Sequence, residues 1–248
     1  MKLRSRRLVV ALVVLATWGL ISSSADAHYP LFDLPPSPIV EVKQPVEIDM
    51  SYGHLFLGDR YPAQRPEWVG VAAVGGRPRD YTAAVTSTSD VVPRWRLKLV
   101  PRKSGDYVIG WNAGMFHEAP TRKILDFCKI VLHARTSGGT QVGWDRALGT
   151  PLEVLPLTRP YAIPVGSVFR GRIVHHVQGD DGFLEAQPMR DMIVEAESRS
   201  RRCRVAPPNA EFRLNVKTDA DGVFAVTLPQ AGWWMISRRP TAAPALRG

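Results

Sequence analysis

The sequence predicts an all-β protein, two β-sandwiches in tandem behind a cleaved leader, and three observations predict it. Apolar residues recur at every second position in short runs along most of the chain. Pro and Gly, 21 and 20 of the 248 residues, punctuate those runs, at a spacing of roughly 8–12 residues. After the leader, no segment carries a 3.6-residue apolar period of the kind a surface helix needs.

The leader comes first. Lys2, Arg4, Arg6 and Arg7 form a positive start, Leu8 to Ile21 an apolar stretch, and Ala25-Asp26-Ala27 a small-residue cleavage site. Residues 1–27 are therefore expected to be a signal peptide, and the mature protein to be periplasmic or secreted. Cleavage leaves His28 as the first residue, with an α-amine beside an imidazole that together can chelate one metal ion. The plainer alternative is that some residue must follow the cut.

From Val40 to Tyr52 the residues Val40, Val42, Val46, Ile48, Met50 and Tyr52 alternate with Glu41, Lys43, Glu47 and Asp49. Pro45 interrupts this run, which predicts an edge strand or a bulge. Trp95, Leu97 and Leu99 alternate with Arg94, Arg96 and Lys98; a turn at Lys103-Ser104-Gly105-Asp106 then leads to Tyr107, Ile109 and Trp111 as an expected hairpin partner. Cys128, Ile130 and Leu132 continue the pattern. A boundary is expected between Gly138 and Pro151, giving an N-terminal domain over 28–148 and a C-terminal one over 149–237. The later strands are expected at Leu152–Leu157, Val168–Val177, Met192–Glu197, Phe212–Val216, Val223–Leu228 and Trp233–Ile236. Thr218 to Gly222 is a turn, and 238–248 a loose tail.

Composition excludes some roles. Lys and Arg number 32 against 23 Asp and Glu, a net charge of +9. The leader holds four of those bases and one acid, and the rest are scattered. The one dense run, Arg199 to Arg204, is flanked by Glu195 and Glu197 and reads as a solvated loop. No basic patch interleaves with aromatics, so nucleic acid is not an expected partner. No second long apolar segment follows the leader, so no membrane span is expected in the mature protein. Cys128 reads as a buried thiol; one pair with Cys203 is not a disulfide framework, and whether the two meet is left open.

Six histidines are present: His28, His54, His117, His133, His175 and His176. His54 follows Ser-Tyr-Gly where a strand gives way to a loop. Met115 and His117 share one face of an extended segment. Imidazole suits Cu, Zn, Ni or Co, and a thioether suits Cu(I). His28, His54 and His117 together supply the donors a transition metal needs, with Glu118 and Asp126 as further oxygen donors. Taken singly, each histidine also has a structural or solvated reading. His175 and His176 point to opposite sides of a strand and cannot chelate one ion. His117-Glu118 begins like a helical zinc-protease motif, but Thr121 replaces the second His and Pro120 opposes a helix. No Gly-x-Ser-x-Gly elbow or phosphate-binding glycine loop occurs, so no enzyme is expected. One member of Trp233-Trp234 faces the core and the other outward, where it could serve an interface.

Several segments together resemble the DUF4198 family, often described as the periplasmic component of cobalt or nickel transport systems. They are His28, Val42 to Ile48, Ser51-Tyr52-Gly53-His54, Ser104 to Ile109, Pro151-Leu152-Glu153 through Pro160-Tyr161, Lys217 to Phe224, and Gly232-Trp233-Trp234. The resemblance implies an Ig-like or transthyretin-like sandwich, carboxypeptidase-regulatory-like at the C-terminus. It also implies a metal-related periplasmic role with a membrane metal transporter as partner. His28 and His54 carry over as ligands; where family members carry a His in an aromatic-rich strand, this chain has Asp126. The expected function is binding of a divalent transition metal (nickel, cobalt or copper) for an uptake system. The alternatives are a non-catalytic module for a protein or glycan, and a copper oxygenase built on a terminal-His brace.

Overall fold

A computed structural model describes residues 29–33, 35–55, 59–88, 92–119, 122–136, 141–198 and 213–238. The chain is all-β, with one 3-10 turn (Thr82–Ala84) as the only helical element among the described residues. The first ten strands are β1 (Tyr29–Asp33), β2 (Ile39–Glu41), β3 (Val46–Gly53), β4 (Arg60–Tyr61), β5 (Trp68–Ala72), β6 (Arg79–Asp80), β7 (Val85–Ser87), β8 (Trp95–Leu99), β9 (Gly105–Ala119) and β10 (Arg122–Arg135). They form two sheets. Sheet I runs β1-β3-β8-β7 with β4 added to β3; sheet II runs β2-β10-β9-β5-β6.

The alternation seen in the sequence explains their shared core. Ile48, Met50 and Leu97 from sheet I and Val69, Ile109, Trp111 and Leu132 from sheet II all fall on one face of their strands, and all are fully buried in one cluster. Phe32 and Tyr52 meet the Trp111 ring edge-on at 6.3 and 5.8 Å.

The remaining strands are β11 (Leu152–Pro156), β12 (Val168–Gln178), β13 (Leu184–Pro188), β14 (Ile193–Ser198), β15 (Arg213–Lys217), β16 (Val223–Thr227) and β17 (Trp234–Arg238). Sheet III runs β11-β12-β13 with β16 also on β12, and sheet IV runs β15-β14-β17. Phe169, Ile173, Phe224 and Val226 of sheet III cluster with Val194 and Ala196 of sheet IV. A third cluster covers the other face of sheet II: Ala72, Val108 and Val131 lie under Leu148 and Tyr161, with Trp68 and Trp144 against them. The segment after β10 is thus packed back onto the first sheets rather than strung out as a linker.

Two sequence expectations are corrected. Val40–Tyr52 is not one interrupted strand. The chain turns at 42–45, with Lys43 in the left-handed region (φ 69°) and Pro45 just before β3. That turn sends β2 to the edge of sheet II, parallel to β10, and β3 to the middle of sheet I. Likewise, β8 and β9 do not form a hairpin: β8 pairs with β3 and β7, and β9 with β5 and β10. The Pro101-to-Ser104 connection crosses from one sheet to the other, and the Tyr107 hydroxyl holds it. That hydroxyl accepts from the Arg102 and Lys103 N–H groups and donates to the Lys103 carbonyl, each at 3.1 Å.

Cys128 is half-buried on β10, and burial pushes its thiol up to about 12, so it carries no thiolate at neutral pH. Cys203 and the Arg199–Arg204 run lie outside the described residues. Trp234 packs against the second core while Trp233 turns away from it and donates to the Pro35 carbonyl at 3.2 Å.

Candidate functional site

His54 stands where β3 ends, with a return of the chain wrapped around it. β4 folds back along β3 with Tyr61 opposite Tyr52 and Arg60 opposite Gly53. Gly53 makes that return possible, because a Cβ there would lie 2.2 Å from the Asp59 carbonyl oxygen. The return brings the Asp59 carboxylate to His54, whose backbone N–H donates to it at 2.9 Å. The ring Nδ1 lies 3.1 Å from both carboxylate oxygens. Tyr61 donates to the same carboxylate at 3.2 Å, and its ring meets the imidazole edge-on. Burial works against ionisation of Asp59, but the bonds from the His54 ring and backbone outweigh it and hold the carboxyl below its ordinary value. A carboxylate on Nδ1 makes that nitrogen the donor and places the imidazole lone pair on Nε2, the tautomer a metal-ligating histidine needs. His54 itself is 4% exposed.

Beside it the chain enters β1: Tyr29 pairs with Gly53. The Tyr29 hydroxyl donates to Glu195 at 3.1 Å and is pushed up to about 12 by burial and then by that carboxylate. Asp33, at the far end of β1, takes Arg60 at 2.9 and 2.7 Å and Arg94 at 3.2 Å. Asp126 on β10 lies near Tyr52 of β3. Burial raises its carboxyl to about 6, and its charge adds to the burial that lifts the Tyr52 hydroxyl to about 12.

Of the three expected ligands, His54 alone has a described side chain. His28 lies outside the described residues. His117 is placed by its backbone, in β9 opposite Lys123, on the same hairpin as Asp126. Among the described residues no group of three or more His, Cys, Asp or Glu side chains is arranged to hold a metal. Asp59 and Tyr61 were not among the residues singled out from the sequence, because nothing in a strand pattern marks a loop carboxylate that folds back.

A second histidine cluster also escaped the sequence reading. Asp106, at the start of β9, takes His133 Nδ1 and the Tyr161 hydroxyl on one oxygen, both at 2.7 Å. The His133 and Tyr161 rings stack at 5.2 Å, and all three residues are buried. Burial, then Asp106, raises the Tyr161 hydroxyl far above its ordinary value. Close by, Glu153 is buried and accepts from Lys129 at 2.5 Å and from the Leu148 and Gly149 N–H groups at 2.8 and 3.1 Å. Desolvation lowers the Lys129 ammonium, and Glu153 opposes that. His175 is exposed, while His176 Nδ1 bonds the Thr150 carbonyl at 2.8 Å. The Pro151-to-Tyr161 stretch therefore ties the two sets of sheets together through Glu153 and Tyr161.

An all-β protein with a carboxylate-braced histidine at a strand end is the class that fold and site define. The chain belongs to the DUF4198 family, "Domain of unknown function (DUF4198)", whose model matches residues 25–240. No curated protein matches it. Among solved structures, it is similar to trypsin-activated alpha-2-macroglobulin from Escherichia coli, at 12% identity over 80% of this chain and 13% of that one, TM-score 0.28. It is also similar to Salmonella alpha-2-macroglobulin reacted with methylamine, at 13% identity over 82% of this chain and 12% of that one, TM-score 0.29. The chain thus spans a small fraction of the length of these structures. No helix among the described residues is long and apolar enough to cross a membrane.

Proposed function

We propose that the chain is an exported, non-enzymatic protein of two tandem β-sandwiches, residues 28–148 and 149–237, that binds a divalent transition metal at His54 and hands it to a membrane uptake system. The observation that carries this reading is the Asp59 brace on His54, beside the start of β1. The β1–β3 register pairs Tyr29 with Gly53, the residue before His54. The α-amine and imidazole that cleavage of the leader would leave at His28, together with His54 Nε2, would make an all-nitrogen donor set suited to nickel, cobalt or copper. His117 and Asp126, on the β9–β10 hairpin, are the candidates for a further donor.

The sandwich reading draws support from the Tyr107 hydroxyl, which bonds back to the chain just upstream of its own strand, as the tyrosine corner of Ig-like sandwiches does. Export is inferred from the leader, and the transporter from the family's usual description. The test is a metal titration of the processed protein by calorimetry, against a form with one Ala added before His28 and against His54→Ala. Both variants are expected to lose affinity; unchanged stoichiometry and affinity in both would remove the site.

A further inference from the structure

β13 is an edge strand of sheet III, and the side of it that faces away from β12 has no strand neighbour among the described residues. Every residue of β13 is exposed, as are Asp180 to Phe183 at the turn, with Phe183 at 73% and Leu184 at 59%. Among the described residues β13 pairs with β12 alone. The ladder parity is fixed by the register Val174↔Pro188 to Gln178↔Leu184, together with the bonds from Gly179 N–H to the Phe183 carbonyl and from Met189 N–H to the Ile173 carbonyl. Phe183, Glu185, Gln187 and Met189 turn their main-chain groups toward β12. Leu184, Ala186 and Pro188 therefore turn theirs outward. An open edge is a template for another strand.

We propose that this edge receives β13 of a second copy of the chain, antiparallel, about a two-fold axis at Ala186. The inference is independent of the metal reading. Self-pairing allows few axes, and the side chains choose among them. An axis at Glu185 sets two carboxylates face to face, which is unfavourable. An axis at Gln187 leaves only Ala186 and Pro188 to exchange main-chain bonds, and Pro188 has no N–H. At Ala186 each copy exchanges both bonds with the partner's Ala186, and Leu184 N–H donates to the partner's Pro188. The missing proline donor then falls at the end of the ladder, where it removes least. Glu185 lies opposite the partner's Gln187 and Phe183 against the partner's Met189. The acidic turn, Asp180 and Asp181, is carried toward the partner's Arg190. Asp180, Asp181 and Arg190 are exposed, and Asp181 Oδ1 accepts the Phe183 N–H at 3.0 Å, so the acidic turn is held at the strand end where the partner's Arg190 arrives. The contact is isologous, and it closes after two copies. Five residues a side is small for an interface, so the dimer is reversible and concentration-dependent.

The experiment is sedimentation equilibrium of the purified chain over a concentration series, beside oxidative cross-linking of Ala186→Cys and Gln187→Cys. The expected result is a shift from monomer to twice the chain mass, weakened by salt, with Ala186→Cys trapped as a disulfide dimer and Gln187→Cys not. Ala186→Pro removes only an outward N–H, so it is expected to abolish the dimer while the melting temperature holds. Asp181→Arg is expected to weaken the dimer, and Asp181→Arg with Arg190→Asp to restore it. A monomer at every concentration, a dimer that survives Ala186→Pro, or equal cross-linking at 186 and 187 would each overturn the proposal.

Discussion

Two Asp–His–Tyr trios occur in this molecule, and they share little beyond their composition. His54, Asp59 and Tyr61 come from one short return of the chain, and the Asp59 side chain is 36% exposed. Asp106, His133 and Tyr161 come from three remote segments, and none is more than 5% exposed. In both, a carboxylate holds histidine Nδ1 and a tyrosine hydroxyl. Water makes the difference. A sealed carboxylate in a low dielectric binds its partners strongly, and its loss strands two buried donors. A wetted one contributes little to stability and serves to orient its histidine. The same three residue types thus serve as a fastener in one place and as a candidate receptor in the other.

The contrast breaks most easily at the two aspartates. Asp106→Ala strands His133 and Tyr161 in the interior, with an expected loss of about 3–5 kcal/mol. At roughly 2–4 °C per kcal/mol, calorimetry should show the melting temperature falling by about 10 °C. An unchanged melting temperature would deny the inner trio its structural role. Asp59→Ala should do the reverse: metal affinity falls about 10–100-fold because the brace on His54 is gone. Stability changes by less than about 1 kcal/mol, since the lost contacts are partly in water. Titration calorimetry and melting on one sample decide both.

Asp126 sharpens the comparison through pH. Burial raises its carboxyl from 3.8 to about 6, so the charged form is less favourable folded than unfolded. The folded state carries no penalty below about pH 4, an increasing one as pH rises toward about 6, and the full one above. Asp126→Asn is therefore expected to stabilise by up to about 3 kcal/mol above about pH 7 and to be neutral below about pH 4. Denaturation at two pH values checks the sign. The smallest expected effect is at the tyrosines. Tyr161→Phe removes one bond to a buried carboxylate and should cost about 1–2 kcal/mol, and Tyr61→Phe much less. Equal losses in chemical denaturation would erase the distinction between the two trios.

Strand identity was legible in the sequence because a period of two is a local property; strand pairing was not. Trp95–Leu99 and Tyr107–Trp111 alternate as hairpin arms do, yet a connection through Pro101 sends them to different sheets. β13 went unread because Leu184-Glu185-Ala186-Gln187-Pro188 buries nothing and so has no apolar face to alternate. His54 could be singled out by its place at a strand end. Asp59 could not, since its reach depends on what Gly53 allows. Asp106 read as a turn residue and His133 as one of six histidines with a structural or solvated reading, and only the closed fold brings Tyr161 to both.

The parallel pairing of β2 with β10 has a kinetic consequence. Ile39 meets His133 and Glu41 meets Arg135, 94 positions later. A chain emerging amino end first therefore exposes β2 with no strand to join until nearly the whole of β10 is out. Contacts of such long sequence separation form slowly, after a large loop has closed. The first core should accordingly assemble late and as one event, once β10 is complete.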